Sequence, residues 1–406
     1  MEEKLKKVPK LRFKDENGED FPAWERSRIC ELGSFTKGAA LSKKDISSSG
    51  NPLILYGELY TTYSEVVFCV KRTTNQQAKP EQYSRIGDVI IPVSGESAEE
   101  ISIAACIMIP NVILAGDLII FRSSFIDGRI TSYILNYIVN YKIARIAQGK
   151  SVVHINAHEL GKITISYPTL PEQTRIADFF TKLDSYIEQQ ELEVEKLKEQ
   201  KKGFMQKIFS QEIRFKDENG EDFPAWEEKK LGEVLIPGEK KKVENTDDYK
   251  KITVKLHLKG VGYADIKRDM KDTRPFYIRR KNELIVGKQN YFNGSVALVG
   301  EEFDGCICSN AIMSFSVKPE IIPKYILAVV SQTDFINRRA YLANGTGQKE
   351  LSETDFLNFT VQIATKEEQT RIADFFTKLD EQIEVEKAIL EKWKLLKKGF
   401  LQQMFI

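Results

Sequence analysis

The amino-acid sequence predicts an α+β protein with two tandem domains, each followed by a long helix, and the two helices are predicted to pack as an antiparallel coiled coil. Three observations support this prediction. Two sequence blocks occur twice. The segments between them mix short apolar runs with Gly and Asn turns, as in an α+β domain. Each repeat then ends in a long stretch with heptad periodicity.

The internal repeat is carried mainly by two blocks, and a short third one, KKGF, occupies residues 201–204 and recurs at residues 397–400. The first, RFKDENGEDFPAWE, occupies residues 12–25 and recurs without a mismatch at residues 214–227. The second, EQTRIADFFTKLD, occupies residues 172–184 and recurs at residues 368–380. The copies of the first block lie 202 residues apart and those of the second 196, so the intervening segments differ in length as well as in sequence. Constant blocks around divergent segments indicate a shared scaffold and two separate targets.

These blocks divide the chain into four parts. The parts are a lead-in with the first variable domain (1–167), a first helical spacer (168–210), the repeated lead-in with the second variable domain (211–363) and a second helical spacer (364–406).

Each helical spacer opens with a Thr-x-x-Glu capping box, formed by Thr169 with Glu172 and by Thr365 with Glu368. Apolar residues then recur at steps of three and four over five heptads, which is typical of a coiled-coil seam. The predicted seam residues are Ile176, Phe180, Leu183, Ile187, Val194 and Leu197 in the first helix, and Ile372, Phe376, Leu379, Ile383, Leu390 and Trp393 in the second.

A helix of about 40 residues is roughly 60 Å long. Neither helix can bury such a seam on a small domain alone, so we expect the two helices to pair antiparallel, with a domain at each end. Polar residues at matched seam positions are candidates for fixing the register, namely Gln190 with Glu386 and Lys201 with Lys397. A coiled coil that dimerises two chains is the alternative.

Composition excludes several classes of protein. The chain has 60 basic and 59 acidic side chains, so any binding of nucleic acid must depend on local clusters rather than on bulk charge. The five cysteines contain no CxxC pair, which argues against a disulfide framework or a zinc site. Because apolar runs of membrane-spanning length and a signal-peptide core are both absent, we expect a cytoplasmic protein without contact to a membrane.

No catalytic or metal-binding constellation is predicted. Residues 149–151 read Gly-Lys-Ser like the end of a P-loop, but the motif requires glycine where the chain has Ala144. His154 and His158 have the spacing of a zinc pair, but no glutamate follows His154 and no third ligand is evident.

The order of the repeat resembles a known family. Two variable domains, each followed by a nearly identical long helix that opens with Glu-Gln-x-x-Ile-Ala, resemble the specificity subunit of type I restriction-modification systems. Residues 172–177 and 368–373 carry that opening, and the resemblance covers essentially the whole chain. One departure is Ala364, which stands where the first copy has the usual proline, Pro168.

The resemblance implies a division of labour. Each variable domain would be a target recognition domain for one half of a split site in double-stranded DNA, and the helix pair would set the spacing. The chain itself would be non-catalytic and would bind no cofactor. It would assemble with two modification (methyltransferase) subunits and two restriction (translocase and nuclease) subunits, which would use S-adenosylmethionine, ATP and Mg²⁺. Two unlike variable domains imply an asymmetric target.

Candidate DNA-binding residues combine bases, amides, hydroxyls and aromatic rings in predicted loops, since such groups contact base edges and phosphates. In the first domain they are Lys43, Lys44, Tyr60, Tyr63, Arg72, Ser94, Glu96, Ser97 and Lys150. In the second they are Lys255, His257, Lys259, Tyr263, Lys288, Gln289, Asn290, Asn293, Thr346, Gln348 and Lys349. The segment KQNYFNG, residues 288–294, is the richest of these loops.

Two other functions fit parts of the same pattern. A structural adaptor that grips proteins through two domains would also keep a constant scaffold around divergent segments, and an enzyme is the third alternative. Methylation of a bipartite DNA motif, when the chain is co-expressed with a methyltransferase subunit, distinguishes a DNA specificity subunit from the adaptor and the enzyme.

Overall fold

The computed structural model describes residues 8–98, 100–149, 152–264, 274–339 and 350–406. The chain divides into two compact units: Met1–Glu191 with Ala388–Ile406 form unit 1, and Leu192–Lys387 form unit 2. Within the described ranges, no helix combines the length and the apolarity that a membrane crossing requires.

Unit 1 contains twelve strands among its described residues. They are β1 (Glu25–Arg28), β2 (Ser34–Lys37), β3 (Asn51–Leu55), β4 (Val66–Val67), β5 (Arg72–Thr74), β6 (Asp88–Pro92), β7 (Ser94–Gly95), β8 (Ala105–Ile107), β9 (Ile113–Ala115), β10 (Leu118–Arg122), β11 (Val153–His154) and β12 (Thr164–Tyr167). Its helices are α1 (Ile29–Leu32), α2 (Gly128–Tyr133), α3 (Asn140–Ile146), α4 (Ala157–Gly161) and the first half of α5 (Leu170–Phe209). A π-helical turn (Ile134–Ile138) joins α2 to α3, and 3-10 helices cover Lys43–Asp45, Tyr56–Tyr60 and Pro80–Gln82.

The central sheet of unit 1 has the strand order β2-β10-β6-β8-β4. Every residue of β6 is buried, because both faces of the sheet are covered. Val89 and Ile91 face one core, which includes Ile130 of α2. Ile90, which points to the other face, packs in a second core with Ile54 of the three-stranded sheet β5-β3-β9. This alternation is the period-two pattern of a strand.

Unit 2 is built on a related plan. Its strands are β13 (Glu227–Lys230), β14 (Leu235–Pro237), β15 (Ile252–Val254), β16 (Val261–Tyr263), β17 (Phe276–Ile278), β18 (Leu284–Gly287), β19 (Val296–Leu298), β20 (Ile307–Ser309), β21 (Ile312–Val317) and β22 (Thr360–Ile363). Its helices are α6 (Leu231–Val234), α7 (Pro323–Val330), α8 (Thr333–Asn337), α9 (Glu353–Leu357) and α10 (Lys366–Met404), whose last turns belong to unit 1, and its 3-10 helices cover Thr246–Asp248, Tyr291–Asn293 and Glu301–Phe303.

The two units share a strand arrangement despite their divergent sequences. The sheet of unit 2 has the order β14-β21-β18-β19, which corresponds to the order β2-β10-β6-β8 in unit 1. In both units the copied lead-in runs into a strand that pairs antiparallel with the strand directly before the long helix: β1 pairs with β12, and β13 with β22. The predicted α+β fold of both domains is therefore confirmed.

The long helices pack antiparallel, as predicted. In unit 1, Phe179 of α5 contacts Phe400 of α10 with ring centroids 5.0 Å apart, and Tyr186 stacks on Trp393 at 5.6 Å. Position numbers therefore rise along α5 as they fall along α10. In unit 2, Phe204 contacts Phe375 at 5.1 Å, and this pair occupies the repeat-related positions of the first.

The seam is shared between the helix pair and the domains. Phe180, which is fully buried, contacts Tyr133 of α2 at 5.2 Å and Phe405 after α10 at 5.7 Å. Of the twelve predicted seam residues, Ile187, Leu379 and Trp393 are partly exposed and the others are buried. A single apolar stripe thus fastens each long helix both to a domain and to its twin.

Candidate nucleic-acid interface

An ion pair joins the two copied blocks in each unit. The guanidinium of Arg12 donates to both carboxylate oxygens of Glu172, at 2.9 and 2.6 Å, and Arg214 donates to Glu368 at 3.2 and 2.6 Å. Both glutamate side chains have no exposed surface. Hydrogen bonding to the buried carboxylate raises the pKa of Arg12. Such two-point pairing fixes orientation as well as distance.

The ion pair corrects the predicted capping box. The side chains of Glu172 and Glu368 were expected to return to the backbone at their helix starts, but the lead-in arginines occupy both carboxylates. One half of the box is present in the second copy, where the N–H of Glu368 donates to the hydroxyl of Thr365 at 3.4 Å. The local motif was correct in marking the helix start and wrong about the partner of the glutamate.

The glutamine of each Glu-Gln pair fastens the variable domain to the long helix. Gln173 donates to the carbonyl of Pro168 at 2.8 Å and accepts the main-chain N–H of Asp127, the residue that caps α2, at 2.7 Å. Gln369 makes the same pair of bonds, the second of them to the main-chain N–H of Ile322 at the start of α7. Both glutamines are buried.

The missing proline before α10 has a physical reason. The main-chain N–H of Ala364 donates to the hydroxyl of Tyr325 at 3.2 Å, and proline has no N–H to donate. In unit 1, where Pro168 stands, the hydroxyl of the corresponding Tyr133 donates instead to Asp184 at 2.5 Å.

In unit 1 the structure brings part of the predicted DNA-binding set together around one 3-10 helix, Tyr56–Tyr60. The hydroxyl of Tyr60 donates to the carbonyl of Ser94 at 2.8 Å, and Tyr63 accepts a main-chain N–H from the segment before β5 at 3.1 Å. Burial raises the pKa of Tyr60. Glu96 is exposed and Ser97 is partly exposed next to this helix.

Three predicted loop positions are wrong, because Arg72 lies in β5, Ser94 in β7 and Tyr263 in β16. Ser94 lies in β7, which pairs with β11, and only 8% of the residue is exposed. Its backbone oxygen, rather than its hydroxyl, holds the neighbouring tyrosine.

The other basic candidates of unit 1 lie along β5. Arg72 is exposed and lies 3.4 Å from Glu58. Lys43 and Lys44 are exposed on a 3-10 helix, and the last residue of that helix accepts a hydrogen bond from Thr74 at 2.6 Å. The structure therefore places three basic side chains at the two ends of β5.

In unit 2 two predicted loops form one surface. The main-chain N–H of His257 donates to Asn293 at 2.7 Å, and that of Leu258 donates to Gly294 at 2.9 Å. Lys255, His257 and Lys259 are exposed on the first loop. The end of the richest loop, at Asn293 and Gly294, is thus held against a basic segment.

The first of these loops is strained. His257 and Leu258 have φ angles of 59° and 57°, in the left-handed region that side chains other than glycine rarely adopt. The partner loop has Gly294 at φ 74°, and a Cβ there would lie 3.0 Å from the N atom of Leu258. Strain of this kind persists only where neighbouring structure enforces it, and it concentrates at binding sites.

The remaining candidates of unit 2 surround the same loops. Gln289 donates to Glu350 at 2.9 Å, and Asn293 donates to the side chain of Asn290 at 3.4 Å. Lys288 is partly exposed, and Tyr263 at the end of β16 is 54% exposed. Four predicted candidates lie outside the described residues, namely Lys150, Thr346, Gln348 and Lys349.

A buried charge cluster in unit 1 was missed at the sequence level. The ammonium of Lys397 lies 2.7 Å from Asp184 and 3.0 Å from Glu65, and Tyr137 donates to Glu65. Burial alone would lower the pKa of Lys397, but the two carboxylates outweigh burial and hold that pKa above its ordinary value. The repeat-related Lys201 of unit 2 pairs with an exposed partner, Asp380, at 2.5 Å.

The signal for these pairs was present in the repeat. Lys201 and Lys397 were predicted to fix the register, and Asp184 and Asp380 close the copied block EQTRIADFFTKLD. Each lysine pairs with the aspartate of the opposite helix, so both partners are copied residues. Pairing of Gln190 with Glu386 stays a prediction.

The histidines do not form the zinc pair considered from their spacing. His154 lies in strand β11 and His158 in helix α4, where its side chain is 80% exposed. Across the described ranges, no group of three or more His, Cys, Asp or Glu side chains is placed to hold a metal ion.

Comparisons with known proteins agree with this organisation. Residues 23–197 and 225–394 match the family described as Type I restriction modification DNA specificity domain. The type I restriction enzyme MjaVIII specificity subunit of Methanocaldococcus jannaschii is 24% identical over 271 residues, which cover 63% of this chain and 64% of that protein. The chain thus spans slightly less than two thirds of that relative.

A solved structure shares the fold over nearly the whole length. The S subunit of a type I restriction-modification system from M. genitalium superposes with a TM-score of 0.63 at 15% identity, covering 98% of this chain and 99% of that one. At this identity the likeness concerns the fold.

Proposed function

The chain belongs to the type I restriction-modification DNA specificity family, and from this membership we propose that its two variable domains each read one half of a divided DNA site. The observation that carries the proposal is the repeated joint. Arg12 with Glu172 and Arg214 with Glu368 anchor the two domains to the long helices in the same way. The loops that the domains present are nevertheless unlike.

Unlike loops support an asymmetric target. The first domain offers tyrosines and basic residues around the 3-10 helix Tyr56–Tyr60 and strand β5. The second offers His257, Gln289 and Asn290 on two joined loops. Amide and basic side chains of this kind read base edges through paired hydrogen bonds, and different sets select different bases.

The helix pair is proposed to set the distance between the two half-sites. Half-sites one helical turn of DNA apart lie on one face of the duplex, about 34 Å centre to centre. Helices α5 and α10 contain 40 and 39 residues, and a helix of about 40 residues is roughly 60 Å long. Helix length would then determine the number of unread base pairs in the spacer.

The chemistry is proposed to reside in partner subunits. The chain would act as a non-catalytic scaffold for two modification subunits, which use S-adenosylmethionine, and for two restriction subunits, which use ATP and Mg²⁺. This chain would contribute recognition, spacing and a scaffold, since the features that both copies of the repeat share are structural: ion pairs, helix seams and main-chain anchors.

Sequencing of methylated DNA tests the proposal. The chain is co-expressed with the methyltransferase subunit of its own system, and cells with that subunit alone are the control. We expect methylation at a bipartite motif with two unlike halves and a fixed spacer, only when both proteins are present. Methylation that does not depend on this chain would contradict the proposal and favour the adaptor.

A further inference from the structure

A basic groove lies in unit 2 between the second half of α5 and the variable domain. Lys198, Lys201 and Lys202 line it from the helix, and their spacing of three and four residues places them on one helix face. Leu258 and residues 331–334 line it from the domain. The groove therefore combines a copied helix with a divergent domain.

The charges in the groove favour an anion. Lys198 has 46% of its side chain exposed and lies 3.2 Å from Glu195, and Lys201 pairs with Asp380 outside the lining. Lys202 is exposed, and it forms no ion pair with the part of the chain that is described. Asp334 is the single acidic residue in the lining against three lysines.

The groove continues the surface of the candidate DNA-reading loops. Leu258, which lines the groove, is held in its left-handed conformation by the bond to Gly294. Its neighbours His257 and Lys259 are exposed candidates for DNA contact. A polymer bound across the strained loop would therefore reach the lysines of α5 next.

The repeat supplies an internal comparison in unit 1. Lys394, Lys397 and Lys398 occupy the related positions of α10, but Lys394 lies 2.8 Å from Glu191, and Lys397 is enclosed by Glu65 and Asp184. The groove that Lys397 lines in unit 1 also contains the carboxylates of Asp178, Glu188 and Glu191. Two of the three related lysines in unit 1, Lys394 and Lys397, are therefore already paired with carboxylates.

We propose that the groove of unit 2 binds the sugar–phosphate backbone of DNA through Lys198 and Lys202, beside the half-site that the second domain reads. This inference rests on the proposed function. Lysine ammonium groups contact phosphates as point charges, and the hydroxyl of Thr333 adds a hydrogen-bond donor of the kind that phosphates accept. Such contacts fix the position of the protein on DNA without reading its sequence.

The test compares two matched double variants, K198Q/K202Q and K394Q/K398Q, in the full chain assembled with its methyltransferase subunits. The affinity for DNA is measured as a function of salt concentration, with one duplex that carries the motif found by sequencing of methylated DNA and one duplex of scrambled sequence. We expect K198Q/K202Q to weaken binding of both duplexes by roughly five- to tenfold and to reduce the slope of log affinity against log salt by about two. The methylated motif stays the same.

The matched variant decides whether the groove is specific. K394Q/K398Q is expected to change affinity less than twofold, because Lys394 already pairs with Glu191 and the neighbouring groove of unit 1 is lined by carboxylates. An unchanged salt slope in K198Q/K202Q, an equal loss in both double variants, or failure of K198Q/K202Q to assemble with the methyltransferase subunits would each overturn the inference; the last outcome would identify a protein-binding face. Failure of the wild-type complex to prefer the motif would instead overturn the proposed function.

Discussion

Arg12 and Glu172 are joined by two hydrogen bonds, and their counterparts Arg214 and Glu368 repeat the pair with one addition. Glu368 also accepts the indole N–H of Trp226 at 2.8 Å. The indole N–H of Trp24, although buried in the same copied sequence, has no hydrogen-bond partner among the described residues. Identical blocks therefore form different hydrogen bonds in the two units.

Removal of the arginine should destabilise the first joint more than the second. Arg12→Met leaves the fully buried carboxylate of Glu172 without its charged partner, a loss of about 3–5 kcal/mol in the free energy of unfolding. Arg214→Met leaves Glu368 its bond from Trp226, so the loss should be smaller. Urea denaturation of both variants measures the difference, and equal losses would show that the indole contributes nothing.

For the two tryptophans, the substitution in unit 2 should cost more stability than the substitution in unit 1. Trp226→Phe removes ring volume and a hydrogen bond to a buried charge, whereas Trp24→Phe removes ring volume alone. Hydrogen bonds to charged groups contribute about 1.5–3 kcal/mol, so Trp226→Phe should lower the melting temperature further. If Trp24→Phe proves the more damaging variant, packing rather than hydrogen bonding controls this position.

The repeat-related lysines of the helix pair offer a second matched comparison. Glu65 and Asp184 have only 11% and 20% of their side chains exposed, and Lys397→Met removes their cation. We expect the free energy of unfolding to fall by about 3–5 kcal/mol. Lys201→Met breaks a pair whose aspartate is 55% exposed, for which we expect about 1 kcal/mol or less. Equilibrium unfolding gives both values, and a larger effect of Lys201→Met would contradict the role of burial.

Substitutions in the richest loop should alter one half of the target. Gln289→Ala with Asn290→Ala removes two exposed amides that are proposed to read base edges. We expect methylome sequencing to show one half-site relaxed or lost and the other unchanged. Glu96→Ala in unit 1 is the matched control and should spare the half-site that the loop variant changes. Full retention of the motif in the loop variant would exclude these amides from the interface.

An insertion in the helices tests whether helix length sets the distance between the two half-sites. Adding one helical turn of residues after the first seam should lengthen the unread spacer of the methylated motif if the helix pair has the proposed role in spacing, and both half-sites should stay as they were. The motif is again read by methylome sequencing. A spacer of unchanged length would refute the proposal that helix length determines the number of unread base pairs.

The features that could be predicted from the sequence are those written in local periodicity or in exact repetition. Heptad steps of apolar residues indicated the long helices, and copied blocks indicated a shared scaffold. The antiparallel arrangement followed because a long seam needs an equally long partner. Each of these arguments uses residues that are neighbours along the chain or along a helix face.

The contacts that could not be predicted join residues far apart in sequence. Glu172 read as part of a capping box because its nearest motif is local, whereas its actual partner, Arg12, lies 160 residues away. Ser94 read as a loop residue because a two-residue strand leaves almost no pattern. One partner of Lys397 is Glu65, which lies in a loop of the variable domain. No periodic pattern in the sequence indicates that this loop reaches the helix.

Gln173 and Gln369 grip the variable domains by main-chain atoms. Their acceptors and donors are carbonyl and N–H groups, and the gripped N–H groups belong to residues as different as Asp127 and Ile322. A joint of this kind is indifferent to the side chains of the domain it holds. A segment of another sequence could replace either domain, provided that it presents a helix start at the same place and an apolar surface to the seam, as Tyr133 does to Phe180. Under the proposed function, a new DNA target could then arise by replacement of one variable domain, while the copied blocks and the long helices stay the same.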